Sequence, residues 1–349
     1  MKPLLPLRHA QTDLFICDLF DSFKDDLASM EHPVFSLSTK PDKRVRKYEH
    51  NGNTLEIKPG SDGLATIHDK DILLYLASQF MAELNRRQKE AEESGKNNIE
   101  APPQRLRFTA YDYFILTNRD TSKRSYERLE NGLDRLTGTR IKTNIKTNGI
   151  EKTDNFGILD AFGIIREDQS NPNSRMIGVE VKLSDWFYNS LLGYEVLSIS
   201  RDYFRLRKPL ERRIYELCRK HCGKSDKWEI GLELLRKKTG YSSQLKHFKS
   251  AIKDIIEKDH LPDYSLAFDE LNSKKIIVRP RSETKAIPQQ SGLVLKTQTY
   301  ENAAKILRGC GLDKYAVYQE WAEWIRDKEP PASPDGAYIG FCKMKIASL

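Results

Sequence analysis

Residues 203–281 read YFRLRKPLERRIYELCRKHCGKSDKWEIGLELLRKKTGYSSQLKHFKSAIKDIIEKDHLPDYSLAFDELNSKKIIVRPR, a basic helix followed by a helix-turn-helix and a β-hairpin. The first part places Leu210, Ile214, Leu217 and Cys218 on one helical stripe, with Arg212, Arg213, Arg219 and Lys220 off it. Pro209 fits only the first turn, because proline lacks the N–H that an interior position must donate. Residues 228–240 predict a short helix with Ile230, Leu234 and Leu235 inward, stopped at Gly240, where glycine adopts positive φ without strain. After a turn over residues 241–243, Ser242 or Ser243 can cap a second helix whose Leu245, Phe248, Ile252 and Ile255 recur at helical spacing. YSLAFDE and KIIVRPR then alternate as strands around a turn at residues 271–274. This order of elements predicts a winged helix.

Residues 201–258 hold 17 Lys and Arg against 8 Asp and Glu, a balance of +9, while the whole chain carries +8. The surplus is therefore local, and a basic helix-turn-helix that holds it is the electrostatic signature of a duplex DNA binder. On the second helix the apolar stripe leaves Ser243, Gln244, Lys246, His247, Lys249, Ser250 and Lys253 outward, so these are the expected groove-facing residues, with Gln244 and His247 reading bases. Arg205, Arg207, Arg212 and Arg213 have no core partner visible in the sequence and are expected on flanking phosphates, joined by Lys274 and Lys275 of the wing.

At 349 residues, with 38% hydrophobic and 31% charged residues, the composition is that of a soluble globular protein of two or three domains. No apolar run approaches the roughly 18 residues of a membrane span, and the N-terminus lacks the order of a signal peptide. Five scattered cysteines, Cys17, Cys218, Cys222, Cys310 and Cys342, argue for a reducing compartment, so a cytoplasmic location is expected. Cys218, His221 and Cys222 lack a second ligand pair and are expected to pack instead of binding metal. Gly223, Lys224 and Ser225 end like a phosphate-binding loop, but Cys218 stands where its first glycine belongs and no strand precedes it. The seven histidines include no His-hydrophobic-His pair of the kind nicking chemistry needs. The acidic pairs Asp25/Asp26 and Asp69/Asp71 fit caps and solvated faces better than a two-metal site. No catalytic residue, metal or cofactor is expected.

Earlier in the chain, residues 15–30 read as an acidic amphipathic helix carrying Phe20, Phe23 and Leu27. Residues 32–60 alternate as strands around a turn at 51–53. Residues 71–87 place Leu73, Leu76, Phe80 and Leu84 at helical spacing, and 87–104 read as an exposed polar excursion ended by Pro102 and Pro103. The later pattern then appears a first time. Thr109 and Asp112 form a capping box, residues 118–121 a turn, and a helix from Ser122 buries Tyr126, Leu129, Leu133 and Leu136. A shift of 119 residues lays this stripe on Leu245, Phe248, Ile252 and Ile255, and strands follow on either side of a turn near 149–154, so a duplicated winged helix is expected. Lys123, Arg124, Arg128 and Arg135 face outward on the first of the two helices, but Glu127, Glu130 and Asp134 interrupt them, which suits a protein contact or a weaker DNA reader. Ser184 is the expected cap of a short helix between two strands, and the tail from residue 300, with 7 basic and 7 acidic residues, is expected to pack around Trp321, Trp324 and Ile325. The expected organisation is α+β: an N-terminal amphipathic segment (1–31), a first winged helix (32–198), a second, DNA-binding winged helix (199–282), a linker (283–298) and a C-terminal helical module (299–349).

HPVFSLSTKPDKRVRKYEHNG (32–52), GLATIHDKDILLY (63–75), TAYDYFILTNR (109–119), YERLENGLDRLTGTRIKTNI (126–145), SISRDYFRLRKPLERRIYELCRKHCG (198–223) and DHLPDY (259–264) closely resemble the plasmid replication initiator protein A family, over nearly the whole chain. That family is similar in outline to other theta-type plasmid initiators built from two winged helices. The resemblance implies sequence-specific binding of repeated sites in double-stranded origin DNA, opening of an adjacent A·T-rich region, recruitment of the host helicase and replication initiation proteins, and repression of its own promoter. It also implies that the second winged helix makes the main major-groove contacts while the first can form a homodimer, in the bacterial cytoplasm and with no membrane. It implies no role for residues 87–104 or for the tail. A winged-helix transcriptional repressor without initiator activity would share every DNA-binding feature, and origin melting or autonomous plasmid maintenance separates the two. A DNA-nicking enzyme would reveal itself by metal-dependent cleavage of supercoiled origin DNA, for which the sequence offers no residues.

Overall fold

A computed structural model describes residues 4, 8–9, 23–50, 53–95, 100–144, 155–168, 170–171, 174–223, 225–281, 297–307, 317–318, 320–321, 324–325, 331 and 333–347. The chain divides into two units, Met1–Arg281 and Ser282–Leu349. The first unit begins with β1 (Phe23–Asp26) and α1 (Leu27–Glu31), then a hairpin of β2 (Arg46–His50) and β3 (Asn53–Lys58). Next come α2 (Lys70–Glu93), β4 (Arg105–Phe108), α3 (Ala110–Leu116), α4 (Lys123–Gly138), β5 (Arg140–Thr143), β6 (Asn155–Gly157), β7 (Leu159–Arg166) and β8 (Met176–Leu183). After α5 (Asp185–Leu192) and β9 (Val196–Ile199), a 3₁₀ turn (Arg201–Arg205) leads to α6 (Pro209–His221), β10 (Trp228–Gly231), α7 (Leu232–Thr239), α8 (Leu245–Lys258), β11 (Tyr264–Phe268) and β12 (Lys275–Pro280).

The fold is mixed α+β, and one order of elements occurs in it twice. Helix, strand, helix, helix, strand, strand describes α2, β4, α3, α4, β7 and β8, and again α6, β10, α7, α8, β11 and β12. Each set closes an antiparallel three-stranded sheet whose third strand lies in the middle, in the orders β4-β8-β7 and β10-β12-β11. β2 and β3, which precede the first set, and β5 and β6, which interrupt it between α4 and β7, form a four-stranded sheet in the order β2-β3-β5-β6, and β1 pairs with β9. The turn at 51–53 and the turn near 149–154 lie wholly or partly outside the described residues.

Local chemistry explains the element ends. The Thr109 hydroxyl accepts from the Asp112 N–H at 3.1 Å and donates to its carboxylate at 2.6 Å, so Thr109 caps α3 as expected, with Asp112 held through the hydroxyl. Ser184 caps α5 by accepting from the Phe187 N–H, and Pro209 stands in the first turn of α6. Gly240 ends α7 at φ 71°, and a Cβ built there would lie 2.8 Å from the Pro33 side chain, so both conformation and space require glycine. Leu129, Leu133 and Leu136 on α4, and Phe248, Ile252 and Ile255 on α8, are buried at the matched positions. Tyr126 and Leu245 are half-buried, Tyr126 set edge-on to Phe114 at 4.8 Å.

Several expectations give way to packing. Phe23 belongs to β1, not to an amphipathic helix: β1 pairs with β9, and Phe23 packs edge-on against Phe204 at 4.5 Å, so that among the described residues of this segment only 27–31 are helical. The part of that expected helix at residues 15–22 lies outside the described residues. The polar stretch after residue 87 continues α2 to Glu93, with Arg86 and Arg87 bonded to Glu83 at 2.7–2.9 Å, which supplies i, i+3 and i, i+4 support. Ile230 sits in β10, paired with β12, and Leu234 is 45% exposed. In the second unit Ala303, Leu307, Val317, Trp321, Ile325, Tyr338, Phe341 and Cys342 form the core, while Trp324 leans on Phe341 and is 49% exposed. Among the described residues no helix is long and apolar enough to cross a membrane.

The acidic pairs do not lie on solvated faces. Lys70, at the start of α2, is fully buried and reaches Asp25 at 2.8 Å and Glu216 at 3.1 Å. Arg213 also pairs with Glu216, at 3.0 Å, and donates to the carbonyls of Ser29 and Lys238. Buried Asp71 takes Arg212 at 2.5 Å and Arg119 at 2.8 Å, while Asp69 takes Arg135 at 2.7 Å. Burial pushes the Asp25 carboxyl up, against the pull of the Lys70 ammonium. The same network couples α2 of the first set to α6 of the second.

Two histidines near this network bear on pH. Burial lowers His32 to about 4, and burial together with the nearby Arg212 lowers His68 to about 4. Both rings are held neutral in the fold, whereas an unfolded histidine titrates near 6.5. A folded-state value below the unfolded one contributes stability that is complete above about 6.5 and is lost as pH falls toward 4. The melting temperature should therefore drop across that window. A variant carrying His32→Gln and His68→Gln should drop less, and an identical pH slope in both proteins would rule the two rings out as the cause.

Candidate nucleic-acid interface

The surface with the clearest nucleic-acid chemistry is the outward side of α8. The helix begins at Gln244, whose side chain makes no cap bond, so neither Ser242 nor Ser243 is the cap. Arg236 braces the turn by donating to the Ser243 carbonyl at 3.1 Å. Phe248, Ile252 and Ile255 hold one face of α8 in the core, and helical geometry then turns Lys246, Lys249, Ser250 and Lys253 the other way. Ser243, Gln244, Lys246, His247, Lys249, Ser250 and Lys253 are all exposed. Lys249 also ties the helix to the hairpin: its ammonium stands 5.6 Å over the Phe268 ring and 3.5 Å from the Ser273 hydroxyl. Lys253 lies 3.5 Å from Glu257 with both side chains solvated, an arrangement that holds it weakly.

The flanking cations divide. Arg207 and Lys274 are exposed as expected. Lys275 is bonded to Glu229 of the neighbouring strand, and this bond raises its ammonium above the usual range. Arg205 is half-buried, paired with Asp202 at 2.8 Å and donating to the Leu4 carbonyl at 3.1 Å. Arg212 and Arg213 are corrections: at 4% and 3% exposure, and engaged by Asp71, Glu216 and backbone carbonyls, they are not available to a phosphate. The reason is that α6 is covered on both sides, so the positions off its apolar stripe face α2 and α1 instead of water. Lys237 and Arg279 are exposed cations that sequence reasoning passed over. The alternation of Arg279 with buried Val278 was the available signal for the second.

The matching side of α4 is mixed. Lys123, Arg124 and Arg128 are exposed, as are Glu127 and Asp134, while Arg135 is drawn to Asp69 and Glu130 to Arg166 at 3.3 Å. The β7–β8 hairpin adds Glu167 and Asp168, both exposed. Among the described residues no three His, Cys, Asp or Glu side chains gather as a metal site. Cys218 and Cys222 are buried, and burial pushes the Cys222 thiol up to about 11, which makes both unreactive packing groups.

Comparison with known proteins is consistent with the resemblance read from the motifs. The sequence model described as Replication initiator protein A matches residues 24–266. A protein of Wigglesworthia glossinidia brevipalpis whose name ties it to replication is 41% identical over 260 residues, covering 74% of this chain and 90% of its own. Among solved structures, domains 2 and 3 of RctB align over 73% of this chain and 96% of theirs, at 13% identity and a TM-score of 0.47. The Pi initiator protein, solved in complex with iteron DNA, aligns over 58% of this chain and 94% of its own, at 17% identity and a TM-score of 0.38.

Proposed function

Because the chain belongs to the replication initiator protein A family, we propose that it is a plasmid replication initiator that binds repeated origin sequences in duplex DNA through the exposed face of α8. The observation that carries this reading is the run of seven outward residues on α8 and the turn before it, solvated from Ser243 to Lys253 and tied through Lys249 to the adjacent hairpin. The twice-repeated element order, with the last strand central in each sheet, supports reading both sets as winged helices, within residues 32–198 and 199–282. α8 then enters the major groove. The Gln244 amide, having no cap bond to make, can pair with the donor and acceptor of an adenine edge, and His247 reads beside it. Lys246, Lys249, Lys253, Arg207 and Lys274 neutralise phosphates. The mixed-sign face of α4 serves as a homodimer contact or as a weaker reader through Lys123, Arg124 and Arg128. Opening of an A·T-rich region, recruitment of the host helicase and a bacterial cytoplasmic location rest on family membership.

Footprinting on the replicon that encodes the chain tests this directly, with protection expected over its repeats. Gln244→Ala should lose about 1 to 3 kcal/mol at one base pair and relax specificity there, while Lys253→Ala should weaken all sequences alike and flatten the salt slope by about one. Equal affinity of the parent protein for repeats and for random duplex would overturn the reading.

A further inference from the structure

Leu271 is 99% exposed at the end of the β11–β12 hairpin, a position where an isobutyl group gains nothing from the fold. The turn that carries it is nonetheless ordered by its own side chains. Asp269 accepts from the N–H groups of Leu271 at 2.8 Å and Asn272 at 3.1 Å. Asn272 in turn accepts from the Lys274 N–H at 3.0 Å through its side chain and from the Lys275 N–H at 2.8 Å through its carbonyl. Lys249 of α8 reaches the Ser273 hydroxyl of this tip, 3.5 Å away, which places the tip near the outward face of α8.

We propose that Leu271 is an apolar wedge that enters the minor groove next to the major groove occupied by α8, unstacking one base step and bending the duplex. The inference rests on the reading of α8 as the major-groove helix. Continuity with α8 favours DNA as the occupant: Lys249 of that helix reaches Ser273 of the same turn and Lys274 is exposed beside it, against the exposed Glu270 and an Asp269 carboxylate bonded within the turn. An exposed aliphatic side chain at a tip that also carries lysines matches the chemistry of minor-groove wedges, where a branched aliphatic group replaces a base-stacking contact while the cations hold the phosphates. The equivalent tip of the first set reads EDQSNPNSR over residues 167–175 and offers no branched aliphatic group, so the feature belongs to the second set alone.

The test uses the full chain on an origin repeat, with bending read from circularly permuted fragments and unstacking from 2-aminopurine fluorescence at a pyrimidine–purine step beside the footprint. The parent protein should bend the repeat and brighten the probe. Leu271→Ala should lose most of both signals and about tenfold in affinity with an unchanged salt slope, while Leu271→Met should keep them. Equal bending and affinity in the parent and Leu271→Ala proteins would overturn the wedge while leaving α8 as the reader. Loss of self-association with bending intact would overturn it in favour of a protein contact. A parent protein that does not bind the repeat removes the α8 reading and the wedge with it.

Discussion

Arg212→Ala is expected to cost about 3–5 kcal/mol of folding stability, as removal of one partner from a buried ion pair does. The Arg212 guanidinium meets the fully buried Asp71 at 2.5 Å, donates to the Leu206 carbonyl at 2.8 Å and lies 5.0 Å from the Tyr203 ring centre. Truncation leaves Asp71 with Arg119 as its remaining cation, deprives the Leu206 carbonyl of its donor and opens a void beside Tyr203. Chemical denaturation measures the loss. Adding Asp71→Asn should deepen it, because Arg119 then loses its carboxylate partner as well. A phosphate-binding role would instead show as a stability change under about 0.5 kcal/mol with weakened DNA binding, so one variant separates a structural arginine from an interface arginine.

Replacing Lys246, Lys249 and Lys253 together with Ala should nearly abolish origin binding at physiological salt and lower the slope of log affinity against log salt by about three, one for each phosphate released. All three side chains are solvated, so the melting temperature should move little, apart from the link between Lys249 and the hairpin. The matching triple change on α4, at Lys123, Arg124 and Arg128, should lower the slope by less, because Glu127 and Asp134 already offset the cations there. Titrations of both variants on one origin fragment at several salt concentrations provide the comparison. Equal losses from the two helices would show that the two sets share the DNA contact evenly.

What the sequence determined by itself is what short-range chemistry decides. The stripes of α4 and α8 are legible because helical periodicity is set by the backbone, and the buried residues fall where the spacing places them. The caps at Thr109, Ser184 and Gly240 are legible because side-chain hydrogen bonds and positive φ act within a few residues. The outward residues of α8 were legible for the same reason, since a helix with one apolar side against the fold shows its other side to water. Tertiary structure alone decided the fate of positions whose neighbours lie far along the chain. Residues 23–26 continue a helical spacing, yet a strand about 170 residues later takes them, with Lys24 bonded to Ser198 across 174 positions. Arg212 and Arg213 stand off their own stripe just as Lys249 and Lys253 do on α8, but the partner that buries Arg212 is Asp71, 141 positions away. Periodicity fixes a side chain's direction only relative to its own helix axis, whereas whether water, a phosphate or a carboxylate waits there depends on which element the fold packs against that side.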